Sequence, residues 1–399
     1  MSIKNILWVV PKYTFPVADG ARVASNSLVQ SFNSTKHKFD VLSLVDNGEQ
    51  CINEYKEKWK ASSVFLISRS APKTKATKLA YWFLKILKNP FSPLTLSYFN
   101  DKGVVNEVKR TVDVDKYDVI IFDGLHGYAS LENSLISYKG KIIYRAHNVE
   151  QDLWFTAADK TKNYLLSLFY KFQGHLMAKF ENNLIQRSFV TWTISNEDHI
   201  RFKAEVPASK FSTIPVGMDF SKELKSNVTE SSLQLFFLGR LDWAPNKEGL
   251  KWFLEKVWPI LLKKRNDLVL NIGGSGNGEW LRPYLSMNNL RFHGLIDDLE
   301  STYESMDLAI MPIFFGSGTR IKVIESVCHG LPLISTSMGV QGSELLEDHY
   351  YHAETADQWI SMLSSLQRVD LKNKGDIARE HLKSILDYSA ITNLIEKSL

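Results

Sequence analysis

The sequence predicts an α/β protein built from two doubly wound parallel sheets, and three observations carry that prediction. The 399 residues exceed what a single typical core holds, so two domains are expected. Apolar runs of strand length alternate with helical patterns along the whole chain. Glycine-containing turns follow several of these runs, at the carboxyl ends of strands, where open parallel sheets bind ligands.

In the first half the strand-like runs fall at 6–10, 39–44, 64–67, 119–122, 141–145, 190–194 and 212–214. In the second half they fall at 233–238, 268–272, 290–292, 308–311 and 333–335. The two series meet near the polar stretch 221–227, which reads as a linker. The expected domains are therefore 1–220 and 221–371, with a helical segment 372–399 expected to pack back on the first. No repeat of 20–50 residues and no low-complexity tract appears.

Composition narrows the class. Hydrophobic residues make up 44% and charged residues 23%, ordinary for a soluble globular chain. A net charge of +4 gives no argument for nucleic acid. No run of about eighteen uncharged apolar residues exists, so a spanning helix is not expected. The N-terminal run ends at Pro11-Lys12 without a small-residue cleavage site, and reads as a buried first strand. Cys51 and Cys328 are far apart and lack metal-ligand spacing, which fits a reducing, cytosolic setting.

Candidate site residues cluster after the strands. After the first strand, Gly20 allows close backbone approach at a helix start near Arg22, a possible phosphate partner. Asp123 and His126 follow the fourth run, and His147 follows the fifth. Asn148 reads as an N-cap with Gln151 as its N3 partner. In the second half Gly239 frees the backbone beyond a strand, and Arg240 offers a planar fork suited to phosphate. The next helix is expected to start at Asn246 or Lys247, with Leu250, Phe253, Leu254 and Val257 on its core face. The turn 273–278 resembles a dinucleotide fingerprint, but its third glycine position holds Glu279. His293-Gly294 forms a similar turn where a base could rest.

The most informative stretch is 312–325: a strand end, the loop Gly316-Ser317-Gly318, and a helix from about Thr319. Ile321, Ile324 and Cys328 recur with helical spacing, so one stripe is expected to face a core. Arg320 and Lys322 crowd a first turn that already carries partial positive charge, which a bound anion would relieve. Glu325 sits at the edge of the stripe, where hydroxyls would satisfy it. That combination points to a nucleotide diphosphate-sugar. The plain alternative is an ion pair between Lys322 and Glu325. Separately, residues 61–100 hold six Lys or Arg and no acid. There Leu79, Trp82, Phe83, Ile86 and Leu87 form one helical face, and Lys78, Lys85 and Lys88 another. Two readings stay open: an interfacial helix over 78–88 for an anionic membrane surface, or a solvated basic face above core residues.

In this order, the Gly20–Arg22 turn, 145–150, 195–198, 214–219, Gly239-Arg240 and 316–325 resemble the family 4 type of GT-B glycosyltransferases. The likeness covers essentially the full chain, and bacterial exopolysaccharide sugar transferases are similar. It implies two Rossmann-like domains facing across a cleft, retention at the anomeric carbon, and neither metal nor cofactor. The implied partners are a nucleotide-sugar donor and a glycan or lipid-linked acceptor, with no nucleic acid. The cysteines point to the cytoplasm, and the interfacial reading of the basic helix 78–88 would add a peripheral place on the inner face of the cytoplasmic membrane.

The resemblance assigns Glu325 to the donor ribose, Arg240 to the diphosphate and His147 to the donor sugar, with Lys322 as a second cation. Gly20, Gly239, Gly294, Gly316, Ser317, Gly318 and Thr319 complete the donor set, and Arg22, Asp123 and His126 are acceptor-side candidates. Two departures stand out. Ser317 occupies the first position of the family's Glu-x7-Glu pattern, and Pro245 stands where a basic residue usually follows Arg240. Other readings are a nucleotide-sugar 2-epimerase of the same fold, or a non-catalytic nucleotide- or polysaccharide-binding protein.

Overall fold

A computed structural model describes residues 3–15, 20–46, 52–69, 75–221, 231–316 and 318–399. The chain divides into two compact units, one of Met1–Val216 with Ile391–Leu399 and the other of Gly217–Ala390.

The first unit holds seven strands: β1 (Asn5–Val10), β2 (Lys38–Asp46), β3 (Val64–Arg69), β4 (Val119–Asp123), β5 (Lys141–Ala146), β6 (Val190–Thr193) and β7 (Phe211–Thr213). They pair in the order β3-β2-β1-β4-β5-β6-β7, every pair parallel. Parallel strands covered on both faces read as unbroken apolar runs, and side-chain alternation then splits each run between two cores. Leu7 and Val9 join Leu42, Leu44, Ile120 and Phe122 on one face. Ile6, Trp8 and Val10 join Val41, Val119, Ile121 and Ile143 on the other.

The second unit repeats the plan. Its strands are β8 (Leu233–Leu238), β9 (Leu268–Gly273), β10 (Leu290–Gly294), β11 (Leu308–Met311), β12 (Leu333–Ser335) and β13 (Tyr351–His352). They run β10-β9-β8-β11-β12-β13, again all parallel. Leu235 and Phe237 face one core, and Phe236 and Leu238 the other. In both sheets the winding reverses beside the first strand, between β1 and β4 and between β8 and β11. Such reversals open a crevice at the strands' carboxyl ends.

The twelve expected strands occur in place. β13, a two-residue strand, carried no apolar run to announce it. Several boundaries differ from the sequence reading. The units part at Val216/Gly217, and the helix Arg368–Leu386 belongs to the second unit. Only Ile391–Leu399 rejoins the first, burying Ile391, Ile395 and Leu399 in its core. Of the expected linker only Ser221 lies among the described residues.

Helix starts also moved. The first helix begins at Gly20, and the one after β8 at Ala244, because Pro245 fits an N-terminal turn where no N–H is needed. Leu250, Phe253, Leu254 and Val257 are buried as expected. The helix Glu150–Lys160 is capped by the Val149 backbone with no side-chain bond, so Asn148 does not serve as its cap. The helix expected from Thr319 runs Ile321–Cys328 and buries Val323, Ile324, Ser326, Val327 and Cys328, while Ile321 is half-buried. The Cys328 thiol donates to the Asp219 carbonyl at 3.3 Å, and Cys51 lies outside the described residues.

Candidate active site

In the first unit, β1, β4 and β5 end around a cavity of about 350 Å³. Asp123 is the last residue of β4, and parallel register sets it opposite Arg145 of β5. Both side chains are fully buried, and Arg145 Nη1 lies 3.4 Å from Asp123 Oδ1. His147 Nε2 lies 2.5 Å from that oxygen, and the Trp8 indole N–H donates to Oδ2 at 3.3 Å. Burial alone would raise the Asp123 carboxyl, but His147 and Arg145 outweigh it and hold the group well below the usual carboxylate range. An ionised carboxylate only accepts, so His147 Nε2 must carry a proton. The Asp123–His147 pair is therefore a fixed, oriented dyad at a cavity wall.

His126 and Arg22 line the same cavity, as do Lys12, Arg69 and Glu150. Burial, together with the positive charge of Arg69, His147 and Lys12, pushes the His126 imidazole down to about 4. Burial pushes the Glu150 carboxyl up to about 7. Behind it Glu181 is fully buried, accepting from Tyr144 Oη at 2.6 Å and from the Glu150 backbone N–H at 3.1 Å. Gly20 lies outside the cavity lining, at the start of the helix Gly20–Phe32.

In the second unit the loops after β8, β9, β10 and β11 are tied together. The Gly239 N–H donates to the Gly273 carbonyl at 3.1 Å, and the Gly274 N–H to Gly294 at 2.7 Å. At Gly274, φ is +149° and a Cβ would lie 1.7 Å from the Gly239 carbonyl oxygen, so only glycine fits. Here glycine serves close backbone packing, although the fingerprint spacing is broken. His293 Nε2 donates to Asn271 Oδ1 at 2.9 Å from within β10, which extends through Gly294.

Arg240 projects into solvent and forms a two-pronged pair with Asp242, at 2.6 and 3.1 Å. Asn246 Nδ2 donates to the Arg240 carbonyl at 3.0 Å, which fixes the loop. Gly316 adopts φ +119°, and a Cβ there would press within 3.1 Å of both Pro245 and the Arg320 guanidinium. Arg320 is buried, with its guanidinium 5.3 Å from the Trp243 ring, and burial lowers its proton affinity. The loops after β8 and β11 thus meet through Trp243, Pro245, Gly316 and Arg320. Lys322 Nζ and Glu325 Oε2 are 2.6 Å apart, both half-buried, so the ion pair read as the plain alternative is present. Gly318 and Thr319 flank the same loop, and Ser317 lies outside the described residues.

Sequence reasoning had singled out neither Arg69 nor Glu150 as site residues, and had placed Arg320 at the helix start beside the anion loop without its burial against Trp243. Arg69 ends a strand with no glycine turn behind it. Glu150 was visible only as part of a motif. The helix expected over 78–88 occurs as Lys75–Lys88, but the side chains of Lys78, Leu79 and Phe83 lie outside the described residues. Lys85 pairs with Asp101 at 3.1 Å. Leu84 and Leu87 are exposed, while Trp82 and Ile86 of the expected apolar face are half-buried.

Residues 232–366 match the glycosyl transferases group 1 family. The chain carries a group 1 glycosyl transferase domain. An uncharacterised 44.6 kDa protein in the cps region of Klebsiella pneumoniae is 24% identical over 351 residues, 85% of this chain and 84% of its own length. Among solved structures, TarM superposes with a TM-score of 0.70 at 10% identity, over 100% of this chain and 99% of its own. Sucrose-phosphate synthase of Thermosynechococcus elongatus gives 0.68 at 12%, over 99% and 98%. Anabaena HepE in complex with UDP-glucose gives 0.59 at 13%, over 99% of each chain. These likenesses establish the GT-B fold for this glycosyltransferase. The group 1 domain spans β8 through the helix Ala356–Ser365, and so contains Gly239, Arg240, Gly294, Lys322 and Glu325. No described helix is long and apolar enough to cross a membrane.

Proposed function

We propose that this glycosyltransferase moves a hexose-type sugar from a nucleotide diphosphate-sugar to a glycan or lipid-linked acceptor, with retention, in bacterial surface polysaccharide synthesis. The Lys322–Glu325 pair, beside loops that meet at the winding reversal of the second sheet, carries the reading. Partly exposed ion pairs contribute roughly 0–1 kcal/mol, so a ligand exchanges them at little cost. The diphosphate draws Lys322 and Arg240 from their carboxylates. Glu325 is then released to accept from the ribose hydroxyls. Backbone N–H groups around Gly316–Thr319 add preorganised donors for the leaving oxygen.

Breaking the C1–O bond leaves charge on the diphosphate, which Arg240 and Lys322 neutralise in place of a metal ion. The acceptor hydroxyl adds to C1 on the same face, and its proton passes to the departing phosphate oxygen. Gly239 and Gly294 line the nucleotide, Gly20 the donor side of the first unit, and His147 serves the transferred sugar. Support comes from the group 1 domain, the cps-region relative and the UDP-glucose complex of HepE. The exposed Leu84 and Leu87 beside Lys88 support contact with an anionic membrane surface, which binding to vesicles of anionic and neutral lipid tests.

Labelled UDP- and GDP-sugars should yield transferred sugar. Glu325→Ala should raise donor KM, and Lys322→Ala should lower kcat at least tenfold. Isomerised donor without acceptor, binding without turnover, or full activity in both variants would defeat the reading.

A further inference from the structure

We propose that the first unit docks on an anionic lipid surface through the outer face of the helix Tyr164–Arg187, extended by Phe91. This deepens the membrane reading of the helix Lys75–Lys88, giving that contact a second, separately testable element. The helix has a defined start, where Asn163 Oδ1 accepts from the Leu166 N–H at 3.1 Å. Its inner face is packed, with Gln173, Gly174 and Met177 buried. The opposite face of a surface helix is ordinarily polar. Here Leu165, Leu168 and Phe172 recur on it with helical spacing, all exposed, beside exposed Tyr164. Tyr164 and Leu165 are 74% and 75% exposed, so no described residue covers them. A helical segment that is apolar on both faces calls for a cover from outside.

Charge identifies the cover. Residues 160–180 contain Lys160, Lys162, Lys171 and Lys179 and no Asp or Glu. Lys162, Lys171 and Lys179 are exposed, and Lys179 lies about two turns beyond Phe172 on the same stripe. Of the flanking acids, Glu181 is fully buried against Tyr144, and Asp159 stands next to Lys160. The stripe continues into a second acid-free segment. Phe91, 76% exposed, lies 6.4 Å from the Phe172 ring, and the Leu94 N–H donates to the buried Gln173 Oε1 at 2.9 Å. Phe91 follows the helix Lys75–Lys88, whose Leu84 and Leu87 are also exposed, and residues 61–100 hold no acid. Exposed aliphatic and aromatic side chains among lysines, without carboxylates, match an apolar boundary beneath anionic headgroups. A second copy of the chain fits worse, because a two-fold contact across this face would set lysines against lysines.

The test is cosedimentation of the full-length protein with vesicles of phosphatidylglycerol and phosphatidylcholine, against vesicles of phosphatidylcholine alone. Wild type should bind the anionic vesicles about tenfold more tightly or better, and added salt should weaken that binding. Leu165→Ser combined with Leu168→Ser should weaken it about tenfold, with the melting temperature unchanged. Lys171→Gln combined with Lys179→Gln should weaken binding to the anionic vesicles about tenfold and leave the neutral ones unaffected. Leu84→Ser combined with Leu87→Ser tests the other helix on its own. Loss there alone upholds the contact at Lys75–Lys88 and overturns the one at Tyr164–Arg187; loss in the Leu165 and Leu168 variant alone does the reverse. Equal binding of both vesicle types, or no binding, overturns the proposal. A wild-type dimer that the Leu165→Ser and Leu168→Ser changes dissolve, in place of vesicle binding, assigns the face to a second copy instead.

Discussion

At the scale of single residues, Asp123 has a stabilising as well as a functional position. Replacing it by Asn leaves the Arg145 guanidinium buried beside a neutral group, a change that typically costs about 3–5 kcal/mol. Urea unfolding of Asp123→Asn should show that loss; an unchanged midpoint would mean Arg145 is compensated elsewhere. Glu150 makes a prediction of opposite sign in pH. Its carboxyl is raised from 4.5 to about 7, so its contribution is complete below about 4.5 and is lost as pH rises through about 7. Glu181, raised by burial and by Glu150, titrates with it in the same direction. Between about pH 5 and about pH 8, Glu150→Gln should lose less stability than wild type, by roughly 1–2 kcal/mol. Parallel loss in both would sink the assignment. His147, Arg240 and Glu325 were legible because each follows a strand run or sits on a helix with readable period. Arg69 was not, since it ends an edge strand and only the folded chain reveals its partners; Arg320 was read at the helix start, but its burial against Trp243 was not.

Among elements, the apolar strand runs were the clearest signal, since burial on both sheet faces demands them. Helix starts were the weakest, because caps at Val149 and Trp243 use backbone alone and leave no side-chain signature. Gly249 illustrates what spacing cannot convey. It lies in the helix Ala244–Lys256, where a Cβ would fall 1.7 Å from the Pro312 carbonyl oxygen. Gly249→Ala must push this helix away from the β11 loop, costing about 1–3 kcal/mol. The loop runs on to Gly316 and Lys322, so donor affinity should fall along with the melting temperature. A lowered melting temperature with unchanged UDP affinity would separate the loop from the site. The same packing explains why this glycine cannot be judged as a weak helix former alone.

For the molecule as a whole, both sheets share one winding order, and both candidate sites sit at its reversal. The sequence conveyed the two-unit plan through its alternation of runs. It did not convey where the last helix divides, because Tyr388–Ser398 reads as one continuous amphipathic segment. Deleting 391–399 removes Ile391, Ile395 and Leu399 from the first unit's core, along with the hydrogen bonds from Lys4 and Lys141 to the Leu399 carbonyl. Large-to-small loss at even one such site costs about 2–5 kcal/mol, so hydrogen exchange should show the first unit opened and the second protected. Equal protection in both would refute this division of labour. The arrangement also sets a clock during synthesis. The ribosome must finish the whole of Gly217–Ala390 before the first unit receives its closing helix, an interval of roughly ten to thirty-five seconds at usual elongation rates. Through that interval the nascent first unit lacks the apolar cover that Ile391, Ile395 and Leu399 later supply, and chaperones have a defined window in which to shield it.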